Sequence, residues 1–348
     1  MHVSEFDFEL PEDRIALRPV SPRHAAKQLI VEGAKLTDKI VFDLPDLLQP
    51  HDLIVFNDTK VIPSYFFVRR GEMVTECNLH KRVTALKWLA FIKKSKRLKL
   101  GDKLEFGEGK LQAIIEEKHD NGEVLLNFDS RVGELDSTLA EIGLMPLPPY
   151  ILSKRGVDER DKDDYQTMFA KKEGAVAAPT ASLHFTDELM TRLKEKGVQS
   201  TTLTLHVGAG TLLPMKAEDT KDHKMHSEWG EISPEAANII NKTHAHQGRV
   251  IAVGTTVLRL LETATDKNGI THPFSGDTDI FITPGFQFNC ADMLMTNFHL
   301  PKSTLFMLVS AFAGLDNMKS AYRHAIKNSY RFYSYGDSSL LFRNKSAI

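Results

Sequence analysis

Between residues 61 and 155 the 348-residue chain changes its pattern, and this change constrains the fold more than any other feature. Tyr65–Arg69, Met73–Arg82, Ala85–Lys93, Asp102–Phe106, Lys110–Glu116 and Glu123–Phe128 are short, often alternating segments. Gly71, Gly101, Gly107-Glu-Gly109 and Asp120-Asn-Gly122 punctuate them. Period-two alternation in short runs separated by turn residues predicts a small β-barrel or sandwich. Pro146-Leu-Pro-Pro149 then reads as an extended linker, and Lys154–Lys172 as a charged, mobile loop.

The flanks follow a longer rhythm. Leu53-Ile-Val-Phe56 is an apolar strand stopped by Asn57-Asp58-Thr59. Helices are predicted over Asp187–Lys196 (Thr186 as N-cap, Gly197 as stop), Pro234–Gln247 (Ser233 as N-cap), Val257–Asp266 and Ser303–Phe312. Strands are predicted over Gln199–Val207, Arg249–Val253 and Thr278–Ile282. Alternating strands and helices imply a mostly parallel sheet. The expected architecture is therefore an α/β core, residues 1–60 and 156–348, interrupted by an inserted small β-barrel domain, residues 61–155.

Taken whole, 44 Lys and Arg against 46 Asp and Glu argue against a simple basic polyanion binder. The distribution argues otherwise. Residues 69–103 carry eleven bases and three acids, whereas residues 104–165 carry fifteen acids and seven bases. Near the C-terminus Lys319, Arg323, Lys327 and Arg331 fall four apart, which a helix would gather into one stripe. Either patch alone fits a solvated face; two patches on an otherwise acidic chain favour a polyanionic partner.

Other classes are disfavoured. Cys77 and Cys290 are too few for a disulfide framework or a cysteine-rich zinc site, and His223-Lys-Met-His226 completes no ligand set, so no metal is expected. The first eight residues carry acids where a signal peptide would be basic and then apolar, and no apolar run reaches the length of a membrane span. A cytoplasmic protein without membrane contact is the expectation. Gly-x-Ser-x-Gly, a complete dinucleotide fingerprint and a Walker-type Gly-Lys-Ser/Thr are all absent.

What remains are polar residues at strand ends and strand–helix turns, where open α/β sheets bind ligands. Val253-Gly-Thr-Thr256 offers a helix N-terminus suited to an anion, or simply a capped helix. His206 ends a strand before Gly208-Ala-Gly210. Asn297-Phe-His-Leu-Pro-Lys-Ser303 precedes an apolar helix, and Tyr330-Arg-Phe-Tyr-Ser-Tyr-Gly-Asp337 interleaves aromatics with charge, for base stacking or for core filling.

Taken in order, these stretches resemble the signature blocks of the S-adenosylmethionine:tRNA ribosyltransferase-isomerases, the QueA family. The resemblance rests on Gly174–Thr186, Thr204–Thr211, Met225-His-Ser-Glu228, Ala252–Thr256, Thr296–Thr304 and Tyr330–Asp337, with Phe6–Pro11 and Val55–Pro63 at the N-terminal end. Ser182, Leu212 and Gly230 depart from the family's usual Gly, Phe and aromatic residue.

The resemblance implies an α/β core with an inserted β-barrel. It also implies transfer and isomerisation of the ribosyl group of S-adenosylmethionine onto 7-aminomethyl-7-deazaguanine at a tRNA wobble position. The product would be epoxyqueuosine-tRNA, with adenine and methionine released. S-adenosylmethionine would be a co-substrate, the tRNA the partner, and the protein a monomer.

Within that reading His184, His206 and His299 are candidates for proton transfer, and Glu228 for a base or an amine-holding carboxylate. Gly254, Thr255 and Thr256, with Thr180, would hold the cofactor. Asn57, Asp58, Asn297, Lys302, Arg331 and Asp337 would bind substrate polar groups. Lys93, Lys94, Lys96, Arg97, Lys99, Arg323 and Lys327 would contact tRNA phosphates. A conventional methyltransferase and a non-catalytic RNA-binding module are the competing readings; the first would release S-adenosylhomocysteine and the second would consume no cofactor.

Overall fold

A computed structural model describes residues 1–119, 122–208, 217–223 and 225–344. Among these, nine strands form one mixed sheet. Four of them run parallel at its centre, in the spatial order Gln199–Leu205, Leu53–Asn57, Val250–Val253 and Met293–Asn297. Beyond Gln199–Leu205 lie Glu228–Ile232 and Phe274–Thr278, both antiparallel to their neighbours. On the other side come Ser338–Phe342, antiparallel to Met293–Asn297, and then the hairpin Lys27–Glu32 and Lys35–Ile40.

Three of the central strands, Leu53–Asn57, Val250–Val253 and Met293–Asn297, are buried at every position because both faces are covered. Leu53, Val55, Val250 and Ala252 pack into one core with helices Pro234–Ala245, Thr255–Ala264 and Thr304–Ala313. Ile54, Phe56, Ile251 and Val253 point the other way, into a core with helix Asp187–Glu195.

The inserted barrel is closed by six antiparallel strands, Tyr65–Arg70, Met73–Arg82, Lys87–Ile92, Lys103–Phe106, Leu111–Lys118 and Glu123–Asp129. Burial alternates along them, so Phe66, Val68, Cys77, Leu79, Ala90, Leu104, Phe106, Ala113 and Leu126 fill the interior. Helix Leu135–Ile142 adds Leu135 and Leu139 to that core. The barrel is reached through Thr59–Val61, which pairs in parallel with the returning segment Lys172–Ala175.

Several expectations need correction. The stretch Lys154–Lys172 is not a mobile loop. Helices Pro149–Lys154 and Asp161–Asp164 fold there around Asp161, whose buried carboxylate accepts bonds from Arg18, both terminal nitrogens of Arg155 and the Asp158 N–H. Pro146–Pro149 is no free linker either, since Met145, Leu147 and Ile151 pack with Val61, Tyr165 and Tyr335. The strand expected over Thr278–Ile282 instead spans Phe274–Thr278, because its pairing with Glu228–Ile232, a tertiary choice, sets the register. The C-terminal basic stripe is shorter than its spacing suggested. Helix Leu315–Lys327 ends before Arg331, which turns inward to Asp337.

Candidate active site

Parallel strands bring their carboxyl ends to one edge of a sheet, where loop residues are free to meet a ligand. Here that edge carries, in spatial order, Trp229, His206, Asn57-Asp58, Gly254 and Asn297, with Asp337 joining from the antiparallel strand. Neighbouring strands lie about 4.8 Å apart. Six of the sequence-derived candidates thus share one edge, but they do not share one chamber.

A cleft of about 850 Å³ opens between the barrel and the His206 end of this row. Its core wall includes His206, Gly174, Gly208, Glu228, Trp229 and Asp277; its barrel wall includes His80, Arg82, Trp88, Phe91 and Glu123.

His206 is fixed from three directions. Its Nδ1 lies 2.8 Å from Thr59 Oγ1, and its ring stacks on Trp229 with centroids 5.2 Å apart. The backbone of Gly174 closes the third side, where a Cβ would sit 2.8 Å from both Cε1 and Nε2 of the imidazole. Burial lowers the His206 pKa below that of an ordinary imidazole, and the nearby Asp58 carboxylate opposes the shift in part. The ring is therefore neutral at pH 7. The tautomer that donates Nδ1–H to Thr59 carries a lone pair on Nε2; the other has Nδ1 accepting from the Thr59 hydroxyl.

Glu228 faces the same cleft but is anchored behind it. One carboxylate oxygen accepts the Gly208 N–H at 2.9 Å, and the other accepts Arg259 Nη1 at 2.5 Å. Both members of this pair are buried, so the Arg259 charge offsets the desolvation of the carboxylate. The remainder of the glycine loop, residues 209–210, and Leu212 lie outside the described residues.

Asn57 and Asp58 act one layer below. The Asn57 amide bonds both the N–H and the C=O of Leu205, and Asp58 accepts from Thr204 Oγ1 at 2.7 Å and from Thr202 Oγ1. They lock the strand end that carries His206. At Gly254 the backbone adopts φ 97°, and the helix beginning at Thr255 has no side-chain cap; Thr256 Oγ1 is buried without a partner.

Further along the edge, His184, Asn297, Arg331 and Asp337 are bonded into the fold. His184 Nε2 meets Asn297 Oδ1 at 3.0 Å, while the Asn297 amide donates to the carbonyls of Tyr333 and Ser334. Asp337 accepts from the Arg331 N–H and guanidinium and from the Lys27 N–H. Thr180, His184 and Arg331 border a void of only about 10 Å³, the scale of a single water. Burial drives the His184 pKa down to about 4 against the raising effect of its bond to Asn297.

His299 lies outside the cleft. Its buried ring sits between Thr296 and the Tyr322 hydroxyl, and burial lowers its pKa to about 3. Lys302 pairs with Asp7 at the surface. Tyr330, Phe332 and Tyr335 are buried, so the aromatic motif near the C-terminus fills core. Ser182 is wholly buried with its hydroxyl unpartnered, and Gly230 packs so tightly on Leu260 that a Cβ would meet it at 2.7 Å.

The phosphate-contact candidates are all exposed. Lys93, Lys94, Lys96, Arg97 and Lys99 lie in and beside one turn of the barrel, and Arg323 and Lys327 project from helix Leu315–Lys327. Among the described residues no helix is long and apolar enough to cross a membrane, and no group of three or more His, Cys, Asp or Glu could hold a metal ion. Residue type alone did not single out Thr59, Gly174, Trp229, Arg259 or the barrel wall.

Comparison with known proteins bears on the chain as a whole. The family described as "Queuosine biosynthesis protein" matches residues 3–341. An S-adenosylmethionine:tRNA ribosyltransferase-isomerase of Mesorhizobium japonicum is 58% identical over 99% of this chain and 98% of its own. One from Caulobacter vibrioides is 54% identical over 99% of this chain and all of its own. A solved structure of the S-adenosylmethionine tRNA ribosyltransferase from Thermotoga maritima, 33% identical, superposes with a TM-score of 0.55 over 97% of this chain and 99% of that one. Matched from end to end, the chain belongs to the queuosine biosynthesis family of S-adenosylmethionine:tRNA ribosyltransferase-isomerases.

Proposed function

We infer that this chain transfers and isomerises the ribosyl group of S-adenosylmethionine onto 7-aminomethyl-7-deazaguanine at the wobble position of a tRNA, releasing adenine and methionine. Family membership along the whole chain supports the reaction. The observation that carries its location is His206: a neutral imidazole clamped by Thr59, Gly174 and Trp229 at the mouth of the cleft. The sulfonium acidifies the adjacent 5′-carbon, and His206 is the base that removes that proton.

The cofactor lies along the sheet edge. Its methionine carboxylate meets the uncapped helix start at Gly254–Thr256, where the partial positive end of the helix favours an anion, although the Gly254 N–H itself donates to the Met295 carbonyl. Its sulfonium lies toward Asp58. Glu228, held ready by Arg259, binds the substrate amine from the same core wall as His206. His184, Thr180, Asn297, Arg331 and Asp337 shape the far end of the edge, and His299 supports the core. The tRNA lies on the barrel, with the Lys93–Lys99 turn and the Arg323–Lys327 face on phosphates. The protein works as a monomer in the cytoplasm, where charged tRNAs and the cofactor are found together.

The test is a single-turnover reaction on tRNA carrying the deazaguanine, with small-molecule products resolved by chromatography. Adenine and methionine are expected from the unsubstituted protein, and His206→Ala should abolish adenine release while S-adenosylmethionine still binds. S-adenosylhomocysteine as product would establish methyl transfer instead, and adenine release at normal rate by His206→Ala would remove His206 from the chemistry.

A further inference from the structure

The cleft contains an aromatic surface that holds His206 on one side and has been given no ligand. Of the two tryptophans, Trp88 is buried in the barrel core, whereas Trp229 is 37% exposed, unusual for so large an apolar ring. Strand alternation explains the exposure. Glu228, Gly230 and Ile232 point inward, and Trp229 points to the cleft. His206 is stacked against it at an interplanar angle of 23°, which leaves the rest of the indole to face the opening.

Directly across the antiparallel pair stands Asp277, in register with Trp229 and also exposed in the cleft. Facing residues of such a pair project on the same side, with Cβ atoms about 5 Å apart. A flat π-surface beside a carboxylate acceptor is complementary to a planar base with an exocyclic amino group.

The spacing along the edge selects which base. Trp229 and Gly254 are separated by three strand intervals, about 14 Å. That is roughly the reach of an extended S-adenosylmethionine from carboxylate to purine, and it leaves the 5′-carbon near His206. We propose that Trp229 is the stacking platform for the adenine of S-adenosylmethionine, and that Asp277 accepts its exocyclic amino group. The inference rests on the function given above and adds the subsite that holds the leaving base.

Fluorescence and calorimetry test it without turnover. In a Trp88→Phe background Trp229 is the sole indole, and titrations are run with and without an anticodon stem-loop carrying guanine at the wobble position. Adenine, S-adenosylhomocysteine and S-adenosylmethionine should each change its emission, and methionine should not. Trp229→Leu in the otherwise unsubstituted protein should weaken calorimetric binding of all three purine ligands by about tenfold. Asp277→Ala should erode the preference for adenine over hypoxanthine.

A loss confined to the charged sulfonium ligand would identify a cation site and overturn the proposal, as would unchanged purine affinities in Trp229→Leu. S-adenosylmethionine that binds by calorimetry without disturbing Trp229 refutes this subsite alone. S-adenosylmethionine that fails to bind the unsubstituted protein under either condition refutes the functional reading together with it.

Discussion

Replacing Gly174 by alanine should disable the site while leaving every polar side chain in place. The added Cβ would lie 2.8 Å from Cε1 and Nε2 of His206 and 2.9 Å from Cδ2. Ordinary carbon contacts are about 3.5–4.0 Å. The ring must therefore withdraw by about 1 Å, and Thr59 and Trp229 stand where it would go. Gly174 also has φ 149°, which a side chain tolerates poorly, at a cost of about 1–3 kcal/mol. A displacement of that size at a proton-transferring group lowers the rate by roughly 100-fold.

The assay is single-turnover adenine release at saturating cofactor and tRNA, alongside chemical denaturation. A control separates strain from displacement. Gly33 also has positive φ, 57°, but nothing lies within 4 Å of a Cβ there. Gly33→Ala should lose stability and keep its rate. If Gly174→Ala retains a rate within about threefold of normal, the clamp on His206 has no catalytic meaning and the reasoning fails.

Three further outcomes are expected. Because the His206 pKa is lowered, the acid limb of kcat should have its midpoint below the ordinary imidazole value of about 6.5; Asp58→Asn removes the charge that favours protonation, so the limb should move to still lower pH in a pH–rate profile. At Asp161 burial raises the pKa, but bonds from Arg155 and the Asp158 N–H, with the charges of Arg155 and Arg18, more than reverse this. Its folded pKa therefore lies below the unfolded value of about 3.9, so its stabilisation is complete above that value and disappears as pH falls through the folded pKa. Asp161→Ala should cost about 3–5 kcal/mol in denaturant melts at pH 7, with the difference from the unsubstituted protein shrinking below about pH 4. Charge reversal at Lys93, Lys96 and Lys99 together should raise KM for tRNA, leave KM for S-adenosylmethionine unchanged, and flatten the slope of log binding constant against log salt by about two to three; unchanged tRNA kinetics would return this turn to an ordinary solvated surface.

The barrel was legible in the sequence because it is built from local signals. Period-two alternation and glycine turns fall within a few residues of one another, and all six strands lie within two residues of the segments they predict. The central apolar strand Leu53–Asn57 was legible for the same reason. The strands Glu228–Ile232, Met293–Asn297 and Ser338–Phe342 were not read, since their pairing partners are remote in sequence, and the hairpin Lys27–Ile40 was missed although it pairs locally across Gly33. The folding of 154–172 was hidden because its organising bond joins Asp161 to Arg18, 143 residues away.

Residue type put His206, Glu228, His184 and His299 forward alike and could not separate the two that border the cleft from the two that do not. All are histidines or acids near strand ends, and only burial and partners distinguish them. His184 is neutralised by burial and bonded to Asn297, and His299 is sealed in the core. Trp229 could have been found from alternation alone, as the outward residue between two inward ones. Gly174 could not, because its value lies in a contact with a residue 32 positions later.

The short parallel ladder between Thr59–Val61 and Lys172–Ala175 has a mechanical consequence. Thr59 begins the strand that leads into the barrel, and Gly174 lies on the strand that returns beside it; between them they hold the imidazole of His206. The stem that joins barrel to sheet therefore also supplies two of the three groups that hold the imidazole. A bulky RNA gripping the barrel would apply torque to the outgoing strand, and the earliest displacement would be felt at the grip on His206.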